Sequence, residues 1–158
     1  LRGSRVLDVG CGLGDFFRWL KSNNINVHYT GLDLTDELVK QARKNHPDGN
    51  FICGSVLDEK LLPGDTFDYV FSSGIFATYH KGAQAWMESA VTRMWNLCAK
   101  GLAFNSLSTW AANQDEGEFY AVPADVIAMC RKKTQWVTMR HDYHPRDFTM
   151  YMYRRGES

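Results

Sequence analysis

Asp8 and the glycines Gly10, Gly12 and Gly14 have types and spacing that suit them to hold a ligand. Val6-Leu7-Asp8-Val9 is an apolar run broken by one acid and reads as a buried strand. Glycines then fall at every second position, and Asp15-Phe16-Phe17-Arg18-Trp19-Leu20 reads as a helix. Strand, glycine turn and helix N-terminus together set backbone N–H groups at a strand end, the geometry that receives a nucleotide-type ligand. Lacking Cβ, glycine allows positive φ and lets a ligand touch the backbone. A second acid, Asp33, closes the next expected strand, Val27 to Asp33. A carboxylate there can accept hydrogen bonds from both hydroxyls of a ribose.

The spacing separates one ligand class from another. A dinucleotide fingerprint is G-x-G-x-x-G, whereas here the third glycine comes one residue early and Asp15 stands where the fingerprint has Gly. With Asp8 ahead of Gly10 the pattern is D-x-G-x-G-x-G. This resembles motif I of the class I S-adenosylmethionine-dependent methyltransferases. The resemblance implies S-adenosyl-L-methionine as cofactor and S-adenosyl-L-homocysteine as its product. It implies that Asp33 holds the ribose and that the backbone of Gly10, Cys11 and Gly12 meets the methionine part. Leu34, Ser55 and Val56 would form the adenine slot, and Ser72 would lie in the loop beside the transferable methyl group. Asp8 either engages the donor's amino group, directly or through water, or braces the glycine loop.

Two departures from the family pattern narrow the expectation. Many members carry an acid directly after the glycine at position 54, where this chain has Ser55; a hydroxyl still accepts a hydrogen bond. Enzymes that methylate base amino groups usually show an Asn/Asp-Pro-Pro-aromatic tetrapeptide after the fourth strand. This chain has Ser72-Ser73-Gly74-Ile75-Phe76, which counts against a DNA adenine or glutamine amide acceptor.

The elements that must position these residues follow in β-α alternation. Helix is expected from Gly14 to Ser22 and after the cap residue Thr35, with strands over 50–53 and 67–71. His46-Pro47-Asp48-Gly49 and Leu62-Pro63-Gly64-Asp65 read as turns. An amphipathic helix is expected over 83–98, closed by Gly101, then a strand over 102–107. The stretch 108–121 reads either as a substrate-side flap or as a solvated acidic loop anchored by aromatics. A helix from Val122 to about Lys133 follows, with proline near its first turn. Strands over 136–143 and 148–153 have only His144-Pro145-Arg146-Asp147 between them, too few for a parallel crossover, so they must form an antiparallel hairpin. The fold class expected is α/β: a doubly wound, mostly parallel seven-stranded sheet with a C-terminal antiparallel hairpin in three α/β/α layers. The resemblance covers 5–154, and the expectation is a single domain over 1–158 that lacks an N-terminal segment.

Composition bounds the partners. The chain has 158 residues, 44% of them hydrophobic, and 18 basic residues against 18 acidic ones, enough for a real core and too balanced for a nucleic-acid backbone as main partner. No apolar run is long enough for a membrane span. Cys11, Cys53, Cys98 and Cys130 have no metal-site spacing and read as free thiols, and no signal peptide is visible, so a cytoplasmic protein is expected. His141-Asp142-Tyr143-His144 looks metal-like, but neighbours on a strand point to opposite faces, and no metal site is expected. Tyr79, His80 and His141 are candidate general bases, needed only if the acceptor loses a proton; Tyr143 is a further one. The acceptor expected is a small molecule, partly apolar or cationic. A non-catalytic donor-binding or partner subunit stays open beside the enzyme reading. A nicotinamide-dependent oxidoreductase is disfavoured by the glycine spacing.

Overall fold

The computed structural model describes residues 1–62 and 66–154. The elements are β1 (Arg5–Val9), α1 (Asp15–Ser22), β2 (His28–Asp33), α2 (Asp36–Asn45), β3 (Asn50–Cys53) and β4 (Phe67–Ser72) in the first half. The second half holds α3 (Ala83–Leu97), β5 (Cys98–Ser108), β6 (Tyr120–Ala121), α4 (Pro123–Arg131), β7 (Val137–Arg140) and β8 (Asp147–Tyr153). The strand order is β3-β2-β1-β4-β5-β8-β7. Strands β1 to β5 pair in parallel, and β8 joins β5 and β7 antiparallel. This is the expected sheet with its terminal hairpin.

Alternation along each strand explains the two faces. In β1, Val6 packs with Phe17 and Leu20 of α1 and with Val39 and Ala42 of α2. Its neighbours Leu7 and Val9 pack with Met87, Val91 and Met94 of α3 and with Val126 and Met129 of α4. Strands buried on both faces read as near-continuous apolar runs, which is why β1 was legible.

Four details differ from expectation. Helix α3 runs into β5 with no loop, and Gly101 is not its cap: it lies inside β5, opposite Tyr69 and Tyr153. The helix end is closed by a distant side chain, since the Arg154 guanidinium donates to the carbonyls of Trp95 at 2.6 Å and Cys98 at 3.1 Å. The last helix ends at Arg131, short of Lys133. The hairpin link is longer than expected, because β7 stops at Arg140, whose guanidinium bends back onto Asp142 at 3.0 and 3.1 Å. Within 108–121, Tyr120–Ala121 forms β6 and pairs with Leu107 and Ser108. It takes the side of β5 that β4 leaves when it ends at Ser72. The turn expected at Leu62-Pro63-Gly64-Asp65 falls largely outside the described residues.

Candidate active site

The C-terminal ends of β1, β2 and β3 and the loop after β4 surround a cavity of about 570 Å³. Open α/β sheets place ligands at this edge, where the strand order reverses between β1 and β4. Val9, Gly10 and Gly12 form one wall; Leu32, Asp33, Leu34, Thr35 and Leu38 form the next. Gly54, Ser55 and Val56 close one end, and Ser73, Gly74, Ile75 and Thr78 with Trp86 of α3 close the other.

Asp33 is fixed before any ligand arrives. One carboxylate oxygen accepts from the Gly12 N–H at 2.9 Å and the other from the Thr35 N–H at 2.9 Å. Each oxygen keeps a lone pair for a ligand hydroxyl. The loop itself is held by Gly10 and Cys11, whose N–H groups both donate to Leu32 O, at 2.7 and 3.1 Å. Gly10 has φ +80°, and a Cβ built there would overlap Ile75 Cγ2. The glycine therefore serves two needs, a backbone that L-residues rarely adopt and room for the opposite wall. Gly14 does different work: it is the N-cap of α1, in left-handed conformation, against Phe51 and His46.

The sequence-derived residues divide between two places. Gly10, Gly12, Asp33, Leu34, Ser55 and Val56 meet at the first cavity. Ser55 Oγ also accepts from the Leu57 N–H at 3.1 Å, so its proton is free to be donated into the cavity. Asp8 and Ser72 instead line a second, smaller cavity of about 310 Å³. Cys11 lines neither: its buried side chain packs against Gly31, and burial, with Asp8 and Asp33 nearby, pushes its thiol up to about 12.

Asp8 is buried, and its Oδ2 accepts from the Tyr29 hydroxyl at 2.6 Å. Burial raises its pKa, the Tyr29 hydrogen bond opposes this, and Asp33 adds to the rise, leaving the group at about 6. Tyr29 is correspondingly pushed well above the usual phenol range, first by burial and then by Asp8.

The catalytic candidates sit apart. Tyr79 and His80 are exposed, on the loop that carries Thr78 into the first cavity, and His80 meets Trp86 edge to face at 5.9 Å. His141 lies in the β7–β8 link, stacked on Phe148 at 6.3 Å and beside Trp110 at 5.5 Å. It lines neither cavity. The link between β5 and α4 does not reach either cavity; it buttresses the loop that does. Tyr79 N–H donates to Gly117 O at 2.9 Å and Phe119 N–H to Ala77 O at 2.8 Å. Arg146 holds this buttress from the other side, pairing with Asp115 at 2.7 Å and Glu118 at 2.6 Å and contacting the Tyr120 hydroxyl. Two of the three acids of 108–121, Asp115 and Glu118, are thus ion-paired by Arg146, nearer the anchored-loop reading than the flap.

Sequence reasoning missed Trp86, Thr78 and Ile75 as cavity residues. The run Ser72 to Phe76 did carry a signal, small residues at a strand end. Trp86 carried none, since it sits beside the apolar stripe of α3 and only the loop geometry turns it toward the site. Among the described residues no group of His, Cys, Asp and Glu could hold a metal ion, and no helix is long and apolar enough to cross a membrane.

Comparison with known proteins agrees with this geometry. The sequence profile of the methyltransferase domain family matches residues 6–101. The chain is 27% identical over 155 residues to Rv1506c of Mycobacterium tuberculosis, a protein named as a methyltransferase; the match covers 92% of this chain and 90% of that one. Its fold is similar to the magnesium protoporphyrin IX methyltransferase of Synechocystis PCC 6803, solved with SAH bound, with TM-score 0.74 and 14% identity over 98% of this chain and 75% of that one. It is also similar to a SAM-dependent methyltransferase from Archaeoglobus fulgidus, with TM-score 0.73 and 14% identity over 96% of this chain and 86% of that one. Sheet order, glycine loop and profile match agree: the chain belongs to the methyltransferase domain family and has the class I methyltransferase fold.

Proposed function

We propose that the first cavity binds S-adenosyl-L-methionine and that the protein transfers its methyl group to a small-molecule acceptor. The observation that carries the reading is Asp33, a carboxylate held by two backbone N–H groups on the wall of a cavity whose facing loop is glycine. Asp33 takes the ribose hydroxyls. Leu34 and Val56 supply the apolar slot for adenine, and Ser55 a polar group at its edge. Gly10 and Gly12 let the methionine part lie on the backbone, with Ser73 and Gly74 at the far end.

The bound donor supplies a methyl group on a positively charged sulfur, already activated for displacement. What remains for the chain is alignment, and orientation alone is worth roughly 7–11 kcal/mol of such a barrier. Ile75, Thr78 and Trp86 shape the end of the cavity. A base, where an acceptor needs one, comes from the Tyr79-His80 loop rather than from His141, which is packed away behind Trp110 and Phe148.

Isothermal titration with S-adenosyl-L-methionine and S-adenosyl-L-homocysteine tests the donor site. Saturable binding at micromolar concentration is expected for both, and absence of heat at sub-millimolar ligand overturns the reading. Release of S-adenosyl-L-homocysteine in the presence of a small-molecule library tests the transfer.

A further inference from the structure

The loop after β4 forms one wall of the first cavity through Ser73, Gly74 and Ile75. Gly74 has φ +82°, and a Cβ built there would meet open space. So free a residue does not fix its own conformation. Within the loop, Gly74 O receives only a long bond, from the Ala77 N–H at 3.4 Å. The position of this wall is therefore set from outside the loop.

The outside hold comes from β5. Gly74 N–H donates to Asn105 Oδ1 at 2.8 Å, across 31 residues of sequence. The Asn105 amide is held in turn, since its Nδ2 donates to Asp147 Oδ2 at 3.0 Å. Register explains why these side chains meet. Asn105 stands opposite Thr149 and Leu107 opposite Asp147, so Asn105 and Asp147 are diagonal neighbours. Residues two apart on a strand share a face, which puts Asn105 on the α1 side with Ala103 and Phe71.

The chemistry gives the pair a direction. A side-chain amide has a donor end and an acceptor end, and a carboxylate only accepts. Asp147 therefore takes the donor end and turns Oδ1 toward the Gly74 N–H. Turned over, the amide would set N–H against N–H and oxygen against carboxylate. A carboxylate at position 105 could accept from Gly74 but would face the Asp147 carboxylate. Next to Gly74, Ile75 fills the space over Gly10 with its Cγ2. The hold on Gly74 thus reaches the glycine loop on the opposite wall.

We propose that Asn105 and Asp147 are positioning residues for the donor site: Asp147 orients the Asn105 amide, and that amide sets the Ser73-Gly74-Ile75 wall against the bound donor. Neither side chain lines the donor cavity, so both act through Gly74. The proposal rests on the donor assignment above.

The test follows S-adenosyl-L-homocysteine affinity by calorimetry, hydrogen exchange at the Gly74 amide by NMR, and melting temperature. Asn105→Asp is expected to quicken Gly74 exchange about tenfold or more and to weaken S-adenosyl-L-homocysteine binding at least fivefold, because two carboxylates then oppose each other. Adding Asp147→Asn is expected to bring both readings back within about twofold of the parent, since the amide at position 147 then donates to the carboxylate at position 105. Asp147→Asn alone is expected to stay within about threefold, because its amide oxygen still accepts from Asn105. Asn105→Ala removes the acceptor without adding charge. It is expected to quicken Gly74 exchange and weaken binding at least threefold, and it stands in should Asn105→Asp fail to fold. A lower melting temperature with Gly74 exchange and affinity unchanged overturns the proposal, because the pair then only ties β5 to β8. Failure of the added Asp147→Asn to restore binding also overturns it. Failure of the unaltered protein to bind S-adenosyl-L-homocysteine strikes the donor assignment instead, and Gly74 exchange in the same variants still decides whether the pair holds the loop.

Discussion

The Asp33 carboxylate joins two loops that sequence keeps far apart, accepting from Gly12 N–H at 2.9 Å while its second oxygen accepts from Thr35 N–H at 2.9 Å. The acid therefore shapes the wall it belongs to, and its removal acts twice. Asp33→Ala should weaken S-adenosyl-L-methionine binding by about tenfold or more, since hydrogen bonds to a charged group are worth roughly 1.5–3 kcal/mol. Titration calorimetry checks this. Asp33→Asn should be little better, because one face of the amide sets an N–H against a backbone N–H.

Gly10→Ala should both destabilise the chain and narrow the site. The positive φ and the overlap with Ile75 act together, and a strained position of this kind costs about 1–3 kcal/mol. The double variant Gly10→Ala with Ile75→Ala should recover part of the loss in a denaturant melt. If Ile75 is not the obstacle, the second change will not help.

Asp8 gives stability a pH dependence of unusual sign for a carboxylate. Its folded value of about 6 lies above the ordinary carboxyl value of 3.8, so between these limits the folded state holds more protons than the unfolded one. Its contribution therefore declines as pH rises from about 4 through about 6 and is lowest at neutral pH. Asp8→Asn keeps an acceptor for Tyr29 and has no charge to bury. It should be more stable than the parent at pH 7.5 by an amount of order 2–3 kcal/mol, and the gap should close near pH 4. Thermal melts of both proteins from pH 4 to pH 8 measure it.

Arg146→Ala should loosen the support behind the active-site loop without touching either cavity. Arg146 pairs with Asp115 and Glu118, and the strand it steadies donates and accepts at Ala77 and Tyr79. Hydrogen exchange at the Phe119 and Tyr79 amides should quicken several-fold, while amides in β1 keep their protection. Salt should have a similar, weaker effect on the parent, because these pairs are partly exposed.

Much of this was legible in the chain. The glycine loop, Asp33 and the apolar runs of β1 and β2 are local signals, and the short link before Asp147 excluded a parallel crossover. The terminal hairpin followed from that short link, and the mostly parallel seven-stranded sheet from the β-α alternation together with the family resemblance; the strand order itself is seen only in the fold. The errors share a cause. Gly101 looked like a helix cap because local sequence cannot reveal that Arg154 closes α3 from the far end of the chain. The hollow beside Asp8 depends on β1, β4, β5 and β8 coming into one row, and no window of sequence contains Phe71, Ala103 and Tyr151 together. Asp8 and Ser72, both expected near the donor, line the smaller cavity. Their shared cavity, separate from that of Asp33, emerges only from pairing register.

The sheet is bounded by two very short strands. β3 spans Asn50–Cys53 and β7 spans Val137–Arg140, four residues each. An outer strand offers unpaired backbone groups as a template on which a stray chain can add. With so few residues at either margin, such stacking gains few hydrogen bonds, and β7 ends in a charged arginine beside its bend. The molecule thus guards its borders by brevity, and lengthening either margin by a few β-branched residues should raise its tendency to associate edge to edge.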